Sequence, residues 1–184
     1  MIAEDGPRPM PEFLKRHRYL NITWLGNKCR MGQAYTVKRL ISAIQTEYTF
    51  WSEDDWLFQG KTYLRPSQDI LDKYPSIIQV SLRGADCNGH PLVKDRRYPF
   101  EIQEPGWGGW GGFSFNPSLC RTSDLKRVQK YLAPHFGKAG LGCELELSRA
   151  HLDKGYRIAT LGRTPHVVHI GNGRSRAIEL SGNQ

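Results

Sequence analysis

The chain has 184 residues, of which 39% are hydrophobic and 24% charged, with a net charge of +8. This composition suits one globular domain with its own core and excludes a disordered tract of low hydrophobicity. No apolar run approaches the roughly 18–20 residues that span a bilayer, which sets a membrane aside as a partner.

Residues 1–12 hold Glu4, Asp5 and three prolines and lack the basic start and apolar stretch of a secretory leader. They are expected to form a flexible polar arm outside a single β-rich domain spanning 13–184. Tyr19 to Leu25 alternates like a strand and closes at Gly26-Asn27. From Ala34 to about Tyr48, Val37, Leu40, Ile41, Ile44 and Tyr48 fall on one helical stripe. Short strand candidates follow at Trp56–Phe58, Thr62–Leu64, Ile77–Leu82 and Tyr98–Gln103, punctuated by Gly60, Pro66, Gly84 and Asn88-Gly89.

Pro105 to Gly112 is a Gly/Trp run that cannot form a regular helix. Its backbone can approach another object closely while its indoles present flat faces. A second helix is expected from Ser123-Asp124, with Leu125, Val128 and Leu132 along one side, ending before Pro134. The tail reads as strands at Cys143–Leu147, Tyr156–Leu161, His166–Ile170 and Ala177–Leu180, with a hairpin turn at Gly171-Asn172-Gly173. The sum is a mainly β, α+β chain: an antiparallel β core with two or three flanking helices.

The four cysteines, Cys29, Cys87, Cys120 and Cys143, show no close pair, so free thiols and an intracellular home are expected. Charge is uneven. Residues 1–50 carry eight Lys/Arg against four Asp/Glu, 51–120 seven against nine, and 121–184 eleven against five. The basic ends suggest a polyanion such as RNA or DNA. On that reading Lys15, Arg16, Arg18, Lys126, Arg127, Lys130, Arg157, Arg163, Arg174 and Arg176 contact phosphates, and exposed tryptophans stack on unpaired bases.

Residues 63–108 resemble the YEATS domain, an immunoglobulin-like module that reads acylated lysines on histone tails. The residues that carry the resemblance are Tyr63-Leu64-Arg65-Pro66, Asp69, Tyr74 to Leu82, Pro91, and Tyr98 through Glu104-Pro105-Gly106-Trp107-Gly108. The resemblance implies an immunoglobulin-like β-sandwich with its core at about 50–120 and a basic extension over 121–184. It also implies a non-catalytic subunit of a larger assembly that binds an acyl-lysine peptide. Its site would be Gly106, Trp107, Gly108, Gly109 and Trp110: aromatic faces for the flat acyl amide, and glycines for close backbone approach. The chain departs from the family at Arg83 to His90, which has no aromatic, and at Phe113-Ser114-Phe115, which stops at Asn116-Pro117. A reader would be nuclear; a nucleic-acid binder or structural subunit would be cytoplasmic.

No nucleophile elbow, Walker-type loop or dinucleotide fingerprint is present. His166 and His169 are three apart and would face opposite ways on a strand, as would Glu101 and Glu104. Asp54-Asp55 reads as a turn. No metal, cofactor or catalytic residue is therefore expected.

Overall fold

The fold comes from a computed structural model, which describes residues 1–17, 19–60, 62–85, 90–106, 110–132 and 141–171, the side chains of 141–143 excepted. It is α+β, built on a mixed six-stranded sheet. The sheet order is β3 (Tyr48–Trp51), β8 (Ser118–Arg121), β5 (Ile77–Ser81), β9 (Arg157–Thr160), β7 (Glu101–Gln103) and β6 (Leu92–Lys94). Both β3 and β5 run antiparallel to β8, and β5 runs parallel to β9. The three strands β3, β5 and β9 therefore end at one common edge.

β5 is buried at every position, as expected of an apolar strand covered on both faces. A register irregularity between Ile77 and Gln79 sends Ile77 and Val80 to one layer and Ile78 to the other. On the first side, Ile78, Ile158 and Cys120 pack against α2 (Gln33–Ala43), α4 (Thr122–Val128) and α5 (Leu141–Leu152) through Ile41, Leu125, Val128 and Leu147. On the second, Ile77, Val80, Leu119 and Ala159 meet Leu71 of α3 (Leu64–Lys73) and a rim of Tyr48, Tyr74, Tyr98 and Phe100. Helices thus cover both faces. This is not an immunoglobulin-like antiparallel sandwich, and that expectation is corrected.

The N-terminal segment, read above as an arm, belongs to the fold. β1 (Ile2–Glu4) pairs in parallel with β2 (Trp24–Gly26), and a short α1 (Glu12–Arg16) follows β1. Two strand readings are corrected. Thr62–Leu64 leads into α3, where Pro66 sits in the first turn, a place that tolerates its missing N–H. Cys143–Leu147 lies in α5, where Leu147 and His151, four apart, both turn inward. A separate ribbon joins β4 (Trp56–Phe58) to β10 (Val167–His169), antiparallel, with Trp56 opposite His169. The expected strand at 177–180 lies outside the described residues. No helix among the described residues is long and apolar enough to cross a membrane.

Candidate active site

Three turns leave the common edge of β3, β5 and β9. Ser52 to Asp55 follows β3 into β4, Leu82-Arg83-Gly84 follows β5, and Leu161 to His166 follows β9 into β10. A crevice beyond the carboxyl ends of parallel strands is where such sheets place ligands. Gly84 makes the turns fit: its φ is +58, and a Cβ there would stand 2.5 Å from the Arg163 carbonyl oxygen.

The β4–β10 ribbon delivers His169 to Asp55, with Nε2 2.9 Å from Oδ2. The other carboxylate oxygen of Asp55, Oδ1, is buried and accepts no hydrogen bond. Glycine at 171 lets the chain pass Asp55, since a Cβ there would lie 2.6 Å from Oδ2. The indole of Trp56 sits 4.7 Å from the His169 ring, and the Arg83 guanidinium lies 5.0 Å over Trp56. The Trp56 indole also meets the Glu53 carboxylate, and Nε2 of His90, near Arg83, is buried without a hydrogen bond. A folded protein keeps few such atoms, and those it keeps often belong to a ligand site.

Two more carboxylates complete the site. Glu53 is reached by solvent, yet the protein around it partly desolvates it, and with the Asp55 charge this raises its pKa. Glu144, in the first turn of α5, accepts the Phe115 N–H at 2.6 Å. Packing around its carboxylate pushes its pKa up to about 7; the Phe115 bond opposes this, Glu53 adds to it and Arg83 offsets it. The residue keeps some solvent contact, so it can exchange a proton. A carboxylate held near neutrality is suited to accepting a proton from a substrate.

Asp55 Oδ1, buried and without a hydrogen bond, is an oxygen donor open to a cation, while His169 Nε2 is engaged with Oδ2 and orients the carboxylate. Among the described residues no three His, Cys, Asp or Glu group to hold an ion on their own. The Asp55 carboxylate, oriented by His169, therefore fits a divalent cation that takes its remaining ligands from a substrate, as Mg²⁺ does with one or two carboxylates and phosphate oxygens.

The residues singled out from sequence fall differently. Trp107, Gly108 and Gly109 lie outside the described residues. Gly106 is pressed on His90, where a Cβ would stand 2.8 Å from Nδ1, and its N–H donates to the Trp110 carbonyl oxygen. Trp110 is half-buried, its indole N–H donates to the Phe113 carbonyl at 2.8 Å, and its ring stands edge-on to His90 at 4.8 Å. The His90 pKa is lowered, chiefly by burial.

The basic residues that the structure describes are spread over several elements. Lys15 pairs with Glu12 on α1, beside Arg16. On α4 and the 3-10 turn Gln129–Tyr131, Lys126 is exposed, Arg127 pairs with Asp124, and Lys130 sits over Tyr131. Arg157 begins β9, whereas Arg163 lies past its other end on Glu101. Arg18, Arg174 and Arg176 lie outside the described residues. His166 turns to the Leu161 carbonyl and His169 to Asp55, so they share no ligand.

No known protein family and no curated protein matches the chain. Its fold is similar to that of S. aureus TarS, solved over residues 1–349, with a TM-score of 0.56 and 16% identity. The match covers 85% of this chain and 46% of TarS, so the chain spans about half of that protein's solved length. TarS is a glycosyltransferase. This likeness in fold to an enzyme overturns the expectation of a non-catalytic acyl-lysine reader.

Proposed function

We propose that the chain is a glycosyltransfer domain that moves a sugar from a nucleoside diphosphate sugar to a hydroxyl acceptor. The observation that carries this reading is the Asp55–His169 pair at the carboxyl edge of parallel strands, with Glu144 tied to the same edge. The TarS-like scaffold supports it.

On this reading Asp55, its carboxylate oriented by His169, would hold a divalent cation together with the donor's diphosphate. Such a cation would neutralise charge that develops on the leaving phosphate. The Glu144 carboxylate takes the proton of the acceptor hydroxyl as its oxygen bonds to the anomeric carbon. The bond from that carbon to phosphate breaks, and its electron pair leaves with the nucleoside diphosphate. Arg83 adds positive charge at the same edge, stacked on Trp56.

Calorimetry with UDP, GDP and CDP, each with Mn²⁺, tests this. One nucleotide should bind more tightly with Mn²⁺ than without, and both Asp55→Ala and His169→Ala should lose at least about tenfold of that affinity. Release of free sugar from the matching nucleotide sugar should follow, and Glu144→Gln should abolish it while nucleotide binding persists. Metal-independent binding, or none, would remove the proposal.

A further inference from the structure

We infer that Gln79 is a positioning residue for Glu144, acting through the segment Phe113–Pro117. The inference rests on the reading of Glu144 as proton acceptor but is carried by a different set of bonds. Gln79 lies in the middle of β5 and is 1% exposed. A primary amide in a fully buried strand is unfavourable unless its atoms are paired. Here Nε2 donates to the Ser114 carbonyl at 2.7 Å and to Ser118 Oγ at 2.8 Å, while Oε1 accepts the Ser114 N–H at 3.3 Å. The amide thus holds Ser114 as a neighbouring strand would. Ser118 Oγ in turn donates to the Asn116 carbonyl, and Ser148 Oγ to the Phe113 carbonyl.

The Ser114 carbonyl and the Phe115 N–H belong to one planar peptide unit and point in opposite directions. Fixing the carbonyl on Gln79 therefore aims the N–H away from the sheet, and it donates to Glu144 Oε1 at 2.6 Å. The Phe115 ring, 2% exposed, anchors the same unit against Trp51 and Phe113 at 5.0 and 5.7 Å. A backbone donor on a carboxylate favours the ionised form and counters the effect of burial. Sequence would not suggest Gln79 for this role, because it is 65 residues from Glu144 (144 − 79) and reads as one polar residue in an apolar strand.

The test is Gln79→Met, which keeps length but cannot donate or accept these bonds. The Glu144 carboxyl is followed by ¹³C NMR titration, with Glu144→Gln to assign its resonance. The midpoint should rise by at least about half a pH unit relative to wild type. If a nucleotide sugar is turned over, the acid limb of its pH–rate profile should move by the same amount with KM for the donor unchanged. Ser118→Ala, which loosens the same tie while keeping the amide, should shift the midpoint the same way by less. A folded Gln79→Met, or a folded Ser118→Ala if the first variant does not fold, with the wild-type midpoint would overturn the inference. A shifted midpoint in a protein that transfers no sugar would keep the positioning role and remove the transfer reading instead.

Discussion

His169 Nε2 lies 2.9 Å from Asp55 Oδ2 although 114 residues separate the two in sequence. The pairing of Leu57 with Val168 across the β4–β10 ribbon sets this distance, because it places His169 opposite Trp56 and next to the turn that carries Asp55. Glycine 171 then closes over the carboxylate. Gly171→Ala should therefore weaken Mn²⁺-dependent nucleotide binding by about tenfold without deleting Asp55 or its histidine partner, since the added methyl must push Asp55 aside. Calorimetry checks this beside a thermal melt. Unchanged affinity would mean that the position of Asp55 does not matter to binding.

Glu144 makes the fold lose stability as pH rises toward neutrality. Its native pKa of about 7 stands above the ordinary 4.5, so the native state holds a proton that the unfolded chain releases between those values. Stability is therefore complete below about pH 4.5, falls as pH rises to about 7, and is then flat. The gap corresponds to at most about 3 kcal/mol, and about 2 kcal/mol once the group's residual hydration is allowed for. Glu144→Gln keeps an acceptor for the Phe115 N–H and escapes the loss. It should be more stable than wild type in urea at pH 8 and equal to it at pH 4.5, while losing activity. A variant that is less stable at pH 8 would show that the charge is not strained.

The parts of the fold legible in the sequence were those with a single dominant period. The Val37–Ile41 stripe gives α2, and the β-branched run Ile77–Val80, apolar except for Gln79, gives the central strand. α5 was hidden because Glu144-Leu145-Glu146-Leu147 alternates with period two, and only the addition of Ser148 and His151 shows the helical face. Pro66 reads as a turn until its place in the first turn of α3 is known. The site was less visible still. Asp54-Asp55 does form a turn, as its residues suggest, but no local pattern says that His169 will fold back onto it. A pair of acidic residues after a strand, with a lone histidine in a late strand, is the signal that was present. The Gly/Trp run is unusual in composition, yet the indole of Trp110 bonds to the Phe113 carbonyl and packs on His90.

His151 adds a weakness on the acid side. It is 3% exposed, neither ring nitrogen has a hydrogen-bond partner, and its ring lies 5.1 Å from Phe113. Burial, reinforced by the charges of Lys154 and Arg127, drops its pKa to about 3. A histidine depressed in this way leaves stability complete above about pH 6.5 and loses it as pH falls through the window to about 3. At pH 5 the loss is about 2 kcal/mol. His151→Phe keeps an aromatic ring on Phe113 and cannot ionise, so its urea midpoint should fall less than that of wild type between pH 7 and pH 5. Parallel losses in the two proteins would place the acid sensitivity elsewhere.

Asp5 shows why the N-terminal segment cannot be a loose arm. Its Oδ1 accepts from the backbone N–H of Met31 and Gly32, from Thr36 Oγ1 and, at 3.3 Å, from Asn27 Nδ2. The first turn of α2 has no capping side chain of its own and no acidic residue, and Gly32 before it has φ 89. An acid from β1 therefore supplies the negative charge that a helix N-terminus favours, across 27 residues of sequence. Removing one part-buried carboxylate strands several donors together, which costs about 2–3 kcal/mol. Asp5→Ala should lower the unfolding free energy by that amount and speed hydrogen exchange at Met31 and Gly32, while Asp5→Asn, which keeps one acceptor oxygen, should lose about half as much. A change below about 0.5 kcal/mol in Asp5→Ala would mean that β1 and α2 are held together by packing, and that the segment adds no electrostatic anchor.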